Sequence, residues 1–147
     1  MLSTRLTSEL VQFVQEVDSW EEAIKVAAEP LLKKGAIEDK YIEAMIHNVN
    51  EFGPYIVLMP KVAMPHARPE DGVKQLGISL MVTEKSVSFN EEKTANIFFV
   101  LAANDANNHL VLLQEITEFL SDQEKVDALS VSKNYEEVLK LLGGDLS

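Results

Sequence analysis

Cysteine is absent from all 147 residues, which excludes a disulfide framework, a thiolate metal site and a cysteine nucleophile. The absence fits a reducing compartment, and a cytoplasmic location is the expectation. Long apolar runs are missing too. No stretch approaches the ~18 uninterrupted apolar residues of a membrane-spanning helix. The opening MLSTRLTSELVQFVQ is broken by polar residues throughout, unlike the apolar region of a signal peptide. Direct membrane insertion is therefore not expected. Positive charge is scarce: 13 Lys and Arg stand against 24 Asp and Glu, a formal net charge of −11. Such a chain repels nucleic acid phosphates, and a protein partner would present a basic or an apolar face. Acidity also simply keeps a protein soluble. The chain has no nucleophile-elbow GxSxG, no phosphate-cradling Gly-rich loop, no GxGxxG and no HExxH.

What remains is ordinary globular material, 46% apolar and 25% charged, long enough for one core. No repeat, low-complexity tract or linker divides it, so residues 1–147 read as a single domain. Residues 10–17 alternate imperfectly and fit a first strand or a short helix. Ser19 to Glu22 reads as a capping box, with Trp20, Ala23, Ile24, Ala27 and Leu31 behind it on one helical face. Pro30 is expected to kink or split that helix and Gly35 to end it. A second helix from about Asp39 turns Ile42, Met45, Ile46 and Val49 inward and stops at Gly53-Pro54. Strands are expected at Tyr55 to Met59, Leu76 to Thr83, Val87 to Phe89 and the continuously apolar Ile97 to Ala103. After Asn104-Asp105 the spacing of His109, Leu112, Leu113, Ile116 and Leu120 is helical. Ser121 to Glu124 reads as a capping box for a short helix to Leu129. Asn134 to Glu137 caps a last helix that ends at Gly143-Gly144. Helices, then strands, then helices indicate an α/β chain with a mixed sheet covered by helices.

The unusual stretch is Ala63-Met64-Pro65-His66-Ala67-Arg68-Pro69-Glu70-Asp71-Gly72. Pro65 and Pro69 fix their own φ angles and push Met64 and Arg68 towards extended backbone. His66 thus sits in a stiffened, non-helical segment just before a strand, which suits a nucleophile presented in one direction. Histidine is also the side chain type whose unperturbed pKa near ~6.5 leaves it largely neutral, hence nucleophilic, at cellular pH. The same residues also describe a plain ordered loop histidine. His109 falls in the first turn of its helix, where unpaired amides attract anions; it also fits a solvated helix-start residue. His47 follows an apolar stripe without belonging to it and reads as a surface or packing histidine. Arg68 is the sole guanidinium near His66 and suits a phosphate, or else it is a surface arginine before a proline. Glu70-Asp71 reads as a solvated turn into Gly72 or as an orienting acid pair. The three histidines lack the close spacing of a zinc site, so no metal is expected.

MPHARPEDGVKQLGISL resembles the active-site signature of phosphotransferase-system enzyme IIA domains of the mannitol–fructose class. FFVLAANDANNHLVLLQEITEFLSD resembles that family's second block, an apolar strand, a polar turn and a histidine opening a helix. NYEEVLKLLGG resembles its C-terminal helix, and EFGPYIVLMPKVAMPHARPE is most similar to the ascorbate-type branch. The resemblance spans essentially the whole chain. It implies a mixed sheet flanked by helices on both faces, the mannitol-type enzyme IIA fold. It implies a phosphotransferase in which His66 is the phosphoryl acceptor and His109 the second active-site histidine. It further implies phospho-HPr as donor, an enzyme IIB cysteine as acceptor, the membrane enzyme IIC as an indirect partner, and no cofactor. The expected service is L-ascorbate uptake. Mannitol- and fructose-type members usually carry an arginine upstream of the signature, and none lies between Arg5 and Arg68. Either Arg68 or backbone amides then help neutralise the phosphate, or that feature is absent here.

Met64, Met59 and Val62 are the expected docking contacts around His66, since methionines adapt to two partners in turn; they fit core filling as well. Two other readings stand beside the relay. One is a regulatory phosphoprotein that signals nutrient state by protein binding. The other is a metal- or small-ligand-binding domain using His66 and His109.

Overall fold

The computed structural model describes residues 1–143. A short helix α1 (Leu2–Arg5) and a 3-10 turn (Ser8–Leu10) lead into β1 (Val11–Val14). Helices α2 (Trp20–Lys34) and α3 (Asp39–Phe52) follow, then β2 (Val57–Met59), β3 (Lys61–Ala63) and a 3-10 turn (Pro69–Asp71). The long strands β4 (Gly77–Ser88) and β5 (Thr94–Ala102) precede α4 (Ala106–Leu120), α5 (Gln123–Ser130) and α6 (Tyr135–Leu141). The five strands form one sheet in the order β1-β4-β5-β3-β2. It is mixed: β1 runs parallel to β4 and β3 parallel to β5, while β4–β5 and β2–β3 are antiparallel.

Burial explains why β4 and β5 sit at the centre. Ile78 to Thr83 and Ala95 to Ala102 are all buried, as befits strands covered on both faces. Adjacent residues of β5 show the two covers. Phe98 meets Phe89, whose ring stacks on Trp20 of α2 at 5.7 Å. Phe99 points the other way and packs on Phe119 of α4, ring centroids 6.4 Å apart. Each such ring, fully buried, contributes roughly 1.5–3 kcal/mol by transfer from water. The helices therefore flank the sheet on both faces, as the family resemblance implies.

The caps follow the sequence with one shift. Ser19 accepts the Glu22 amide at 3.1 Å and Asn134 accepts the Glu137 amide at 3.0 Å. Gly35 ends α2 in the left-handed region at φ +83°, where glycine meets no Cβ penalty. The third cap is Asp122 rather than Ser121: α4 runs on to Leu120, so Ser121 closes that helix and donates its hydroxyl to the Glu118 carbonyl. Gly143 follows α6 at φ +80°; Gly144, the second glycine of the expected stop, lies outside the described residues.

Pro30 neither splits α2 nor ends it. A proline has no N–H for the carbonyl four residues earlier, and that carbonyl, on Val26, accepts instead from the Gln12 side chain of β1 at 2.7 Å. The sheet supplies the bond that the helix lacks. Two strand expectations also change. Leu76–Thr83 and Val87–Phe89 are one strand, β4, with a register shift between Val82 and Val87. And β3 is a strand that the pattern does not reveal, because only Lys61, Val62 and Ala63 form it. Pro60 and Lys61 (φ +79°) make the tight turn that pairs it with β2.

Candidate functional site

His66 lies just beyond β3, and its neighbours are fastened to the turn before β2, to β5 and to α3. Met64 N–H donates to the Ile56 carbonyl at 2.8 Å, and Leu101 N–H of β5 donates to the Pro65 carbonyl at 3.0 Å. Ala67 N–H donates to the Tyr41 hydroxyl of α3 at 3.0 Å. Pro65 and Pro69 stiffen what these bonds hold. The half-buried His66 ring then turns back on its own chain: Nδ1 lies 2.8 Å from the Met64 carbonyl oxygen. A carbonyl can only accept, so Nδ1 carries the proton and donates. The unprotonated lone pair is left on Nε2.

The second histidine arrives from β5. That strand ends at Ala102, and Asp105 caps α4 by accepting the Asn108 amide at 2.8 Å. Asn108 in turn donates its side-chain amide to Asn104 at 2.7 Å. His109 is the fourth residue of α4, and its ring centroid stands 5.4 Å from that of His66, tilted by 43°. Tyr55 meets the other side of His66 edge-on, at 5.9 Å and 88°. The two histidines that lie 43 positions apart in sequence are thus neighbours. An open cleft of about 700 Å³ runs over them, with Phe52, Tyr55, Arg68 and Asp105 on its walls.

The cleft lining carries one guanidinium against two carboxylates, so it is not cationic. Arg68 is exposed at the cleft, opposed by Glu70 and Asp105 on the same lining. Partial burial, and secondarily the nearby His66, hold the His109 imidazole below the ordinary histidine pKa. It is neutral near pH 7 and still offers one N–H. The other arginine, Arg5, is occupied: its guanidinium grips Glu115 of α4 through Nε and Nη2 at 3.0–3.2 Å. Among the described residues, no group of three or more His, Asp or Glu side chains gathers to hold an ion. No helix among them is long and apolar enough to cross a membrane.

The expected docking contacts are corrected. Val62 is 0% and Met64 3% exposed, so both fill the core and neither reaches a partner. Met59 is half-buried against that core. The exposed apolar surface lining the histidine cleft belongs instead to Phe52 (71% exposed) and Tyr55 (43%). Nearness to His66 in sequence did not translate into exposure, because Val62 belongs to a strand with neighbours on both sides. Phe52 and Tyr55 flank the Gly53-Pro54 stop of α3, a position where chain reversal exposes bulky side chains. Tyr41 also went unseen, since on α3 it reads as one more apolar-face residue beside Ile42 and Met45. His47 is exposed on α3, as a surface histidine should be.

This geometry has close relatives. The family model for the phosphoenolpyruvate-dependent sugar phosphotransferase system, EIIA 2, matches residues 4–144. The ascorbate-specific PTS system EIIA component of Escherichia coli K12 is 36% identical over 135 residues, 90% of this chain and 88% of that protein. The mannitol-specific cryptic phosphotransferase enzyme IIA of Escherichia coli superposes with a TM-score of 0.89 at 31% identity, over 96% of this chain and 97% of that one. The Escherichia coli mannitol enzyme IIA, solved as a complex with phosphorylated enzyme IIB, gives 0.82 at 28% identity over 95% and 97%. With the family model covering nearly all of its length, the chain belongs to the EIIA 2 family of the sugar phosphotransferase system, and its chemistry is phosphoryl transfer.

Proposed function

We propose that this protein is the cytoplasmic IIA carrier of an L-ascorbate uptake system, accepting phosphate from phospho-HPr on Nε2 of His66 and passing it to an enzyme IIB cysteine. One observation carries this reading: His66 commits Nδ1–H to the Met64 carbonyl and has the His109 ring as its neighbour in an open cleft. The Nε2 lone pair forms the new N–P bond while the donor's N–P bond breaks and its electron pair returns to the donor imidazole. The proton stays on Nδ1, donated to the Met64 carbonyl throughout, so no base is required. Phosphoryl transfer of this kind rests on positioning and charge stabilisation. His109 and the first amides of α4 face the incoming charge as hydrogen-bond donors. Phosphohistidine adds roughly two negative charges, and Glu70 and Asp105 keep that charge from being fully offset. Incomplete stabilisation suits a carrier, since a IIB thiolate must next attack the phosphorus and release His66. Arg68, exposed on the cleft lining, serves as the cation in place of the upstream family arginine. The membrane component IIC is reached only through IIB.

Ascorbate rests on the named relatives at 36% identity, and delivery separates it from other sugars. Phosphorylated protein mixed with ascorbate-type and mannitol-type IIB should discharge to the first at least about tenfold faster, one decade being ~1.4 kcal/mol of discrimination. Equal rates would remove the ascorbate assignment. Discharge to neither would favour the regulatory use of the same phosphohistidine.

A further inference from the structure

The backbone around His66 continues the β3–β5 ladder past the point where the strand ends. Ala63 of β3 pairs with Phe98 of β5 in parallel register. Three residues further along each chain, His66 stands opposite Leu101. In a parallel pair, a residue donates its N–H to the carbonyl before its partner and accepts, at its own carbonyl, from the N–H after it. Leu101 does the first directly, donating to Pro65 at 3.0 Å. The second rung, from Ala67 N–H to the Leu101 carbonyl, is interrupted by a single hydroxyl. Tyr41 Oη accepts from Ala67 N–H at 3.0 Å and donates to the Leu101 carbonyl at 2.5 Å.

We propose that the Tyr41 hydroxyl is a positioning group for phosphoryl transfer: inserted as a rung between Ala67 and Leu101, it splays the chain from the sheet at His66 and fixes the ring with Nδ1–H on Met64. This rests on the reading of His66 as acceptor. The seat is tight. Tyr41 is fully buried, and a Cβ on Gly72 (φ +133°) would come within 3.1 Å of the Tyr41 amide nitrogen and 3.2 Å of its Cβ. The hydroxyl itself is held among backbone groups, lying 3.3 Å from the Ala67 carbonyl as well as bonding the Ala67 amide and the Leu101 carbonyl. The reason for a hydroxyl rather than a direct bond is spatial. A direct rung would draw Ala67 one hydrogen bond closer to β5 and press the His66 backbone into strand geometry. Interposing one oxygen keeps both polar groups satisfied while the chain stands off. Phenylalanine at this position either leaves the part-buried Ala67 amide and the buried Leu101 carbonyl without this partner or lets them close into a direct rung, and both release the His66 segment from its present seat.

The test compares wild type, Tyr41→Phe and Tyr135→Phe. Tyr135 donates to the Leu6 carbonyl at 2.8 Å on the part-buried side of α6, and it controls for the loss of one tyrosine hydrogen bond. Single-turnover phosphorylation by phospho-HPr gives the saturating rate and the half-saturating donor concentration. Nitrogen NMR gives the His66 tautomer. Tyr41→Phe should lower the saturating rate by about tenfold to a hundredfold, the scale of a small misplacement, move the half-saturating concentration less than about twofold, and mix the His66 tautomers. Tyr135→Phe should change neither rate nor tautomer. Wild-type rates and a pure Nδ1–H tautomer in Tyr41→Phe overturn the positioning role while leaving His66 as the acceptor. A wild type that takes up no phosphate on His66 defeats the acceptor reading itself. If Tyr41→Phe does not fold, hydrogen exchange in the wild type decides. An Ala67 amide protected like those of β5 supports the rung, and exchange at the rate of an exposed loop amide overturns it.

Discussion

His109 is held neutral by its surroundings. Burial disfavours its charged form first and His66 second, so its folded-state pKa lies below the unfolded value. The unfolded chain then binds the proton sooner as pH falls. This contribution to stability is complete above the ordinary histidine range and is lost as pH drops through it towards the lowered folded value. Wild type should therefore lose stability more steeply than His109→Ala between about pH 7 and pH 5, read from denaturant midpoints. The neutral ring keeps one N–H for the phosphoryl oxygens, and removing one such donor typically costs ~10²-fold or more in rate. His109→Ala should slow both loading of His66 and onward discharge by about that factor, measured by rapid quench, with the fold intact. Unchanged rates in both directions would leave His109 a bystander. On residue type alone neither histidine was distinguishable from a surface one. Only the second block of sequence, in the company of the first, pointed to their meeting at 5.4 Å.

Elements were legible where the signal is local. The hydroxyl of Ser19 and the amide oxygen of Asn134 cap helices because short polar side chains reach their own backbone amides, which spacing reveals directly. Features that depend on distant partners were not. Glu84, Lys85 and Ser86 interrupt the apolar pattern of β4 and have no partner on β5, whose register passes from Val82–Ile97 to Val87–Ala95; Lys85 N–H bonds instead to the Gln15 carbonyl just past β1, at 3.0 Å. Pro30 is the sharper case, since a helix-breaking residue is tolerated because Gln12 of β1 fills its vacancy. A double-mutant cycle tests this. Gln12→Ala should destabilise by ~0.5–1.5 kcal/mol, the net worth of an ordinary hydrogen bond, since the Val26 carbonyl is only part-buried. In a Pro30→Ala background, where residue 30 regains an N–H for that carbonyl, the same change should cost clearly less. Equal costs in both backgrounds would show that the Gln12 bond does not answer the proline.

The whole molecule joins an acidic surface to one partly apolar cleft. With a net charge of −11, it should meet partners whose contacting faces are basic or apolar. Exposed Phe52 and Tyr55 supply the apolar part beside the histidines. The mixed, two-sided sheet followed from the order of elements and the resemblance. The docking face did not follow, because exposure is set by the packing of β3 between β2 and β5. The shared end of β5 is what makes the site. Leu101 fastens the His66 segment, and Asp105, four residues on, begins the helix that brings His109. The most direct measurement of the account is phosphate incorporation from radiolabelled phosphoenolpyruvate in the presence of enzyme I and HPr, for wild type, His66→Ala and His109→Ala. Acid-labile label on wild type, slower label on His109→Ala and none on His66→Ala is the predicted result. Full labelling of His66→Ala, or no labelling of wild type by an active HPr preparation, would contradict it.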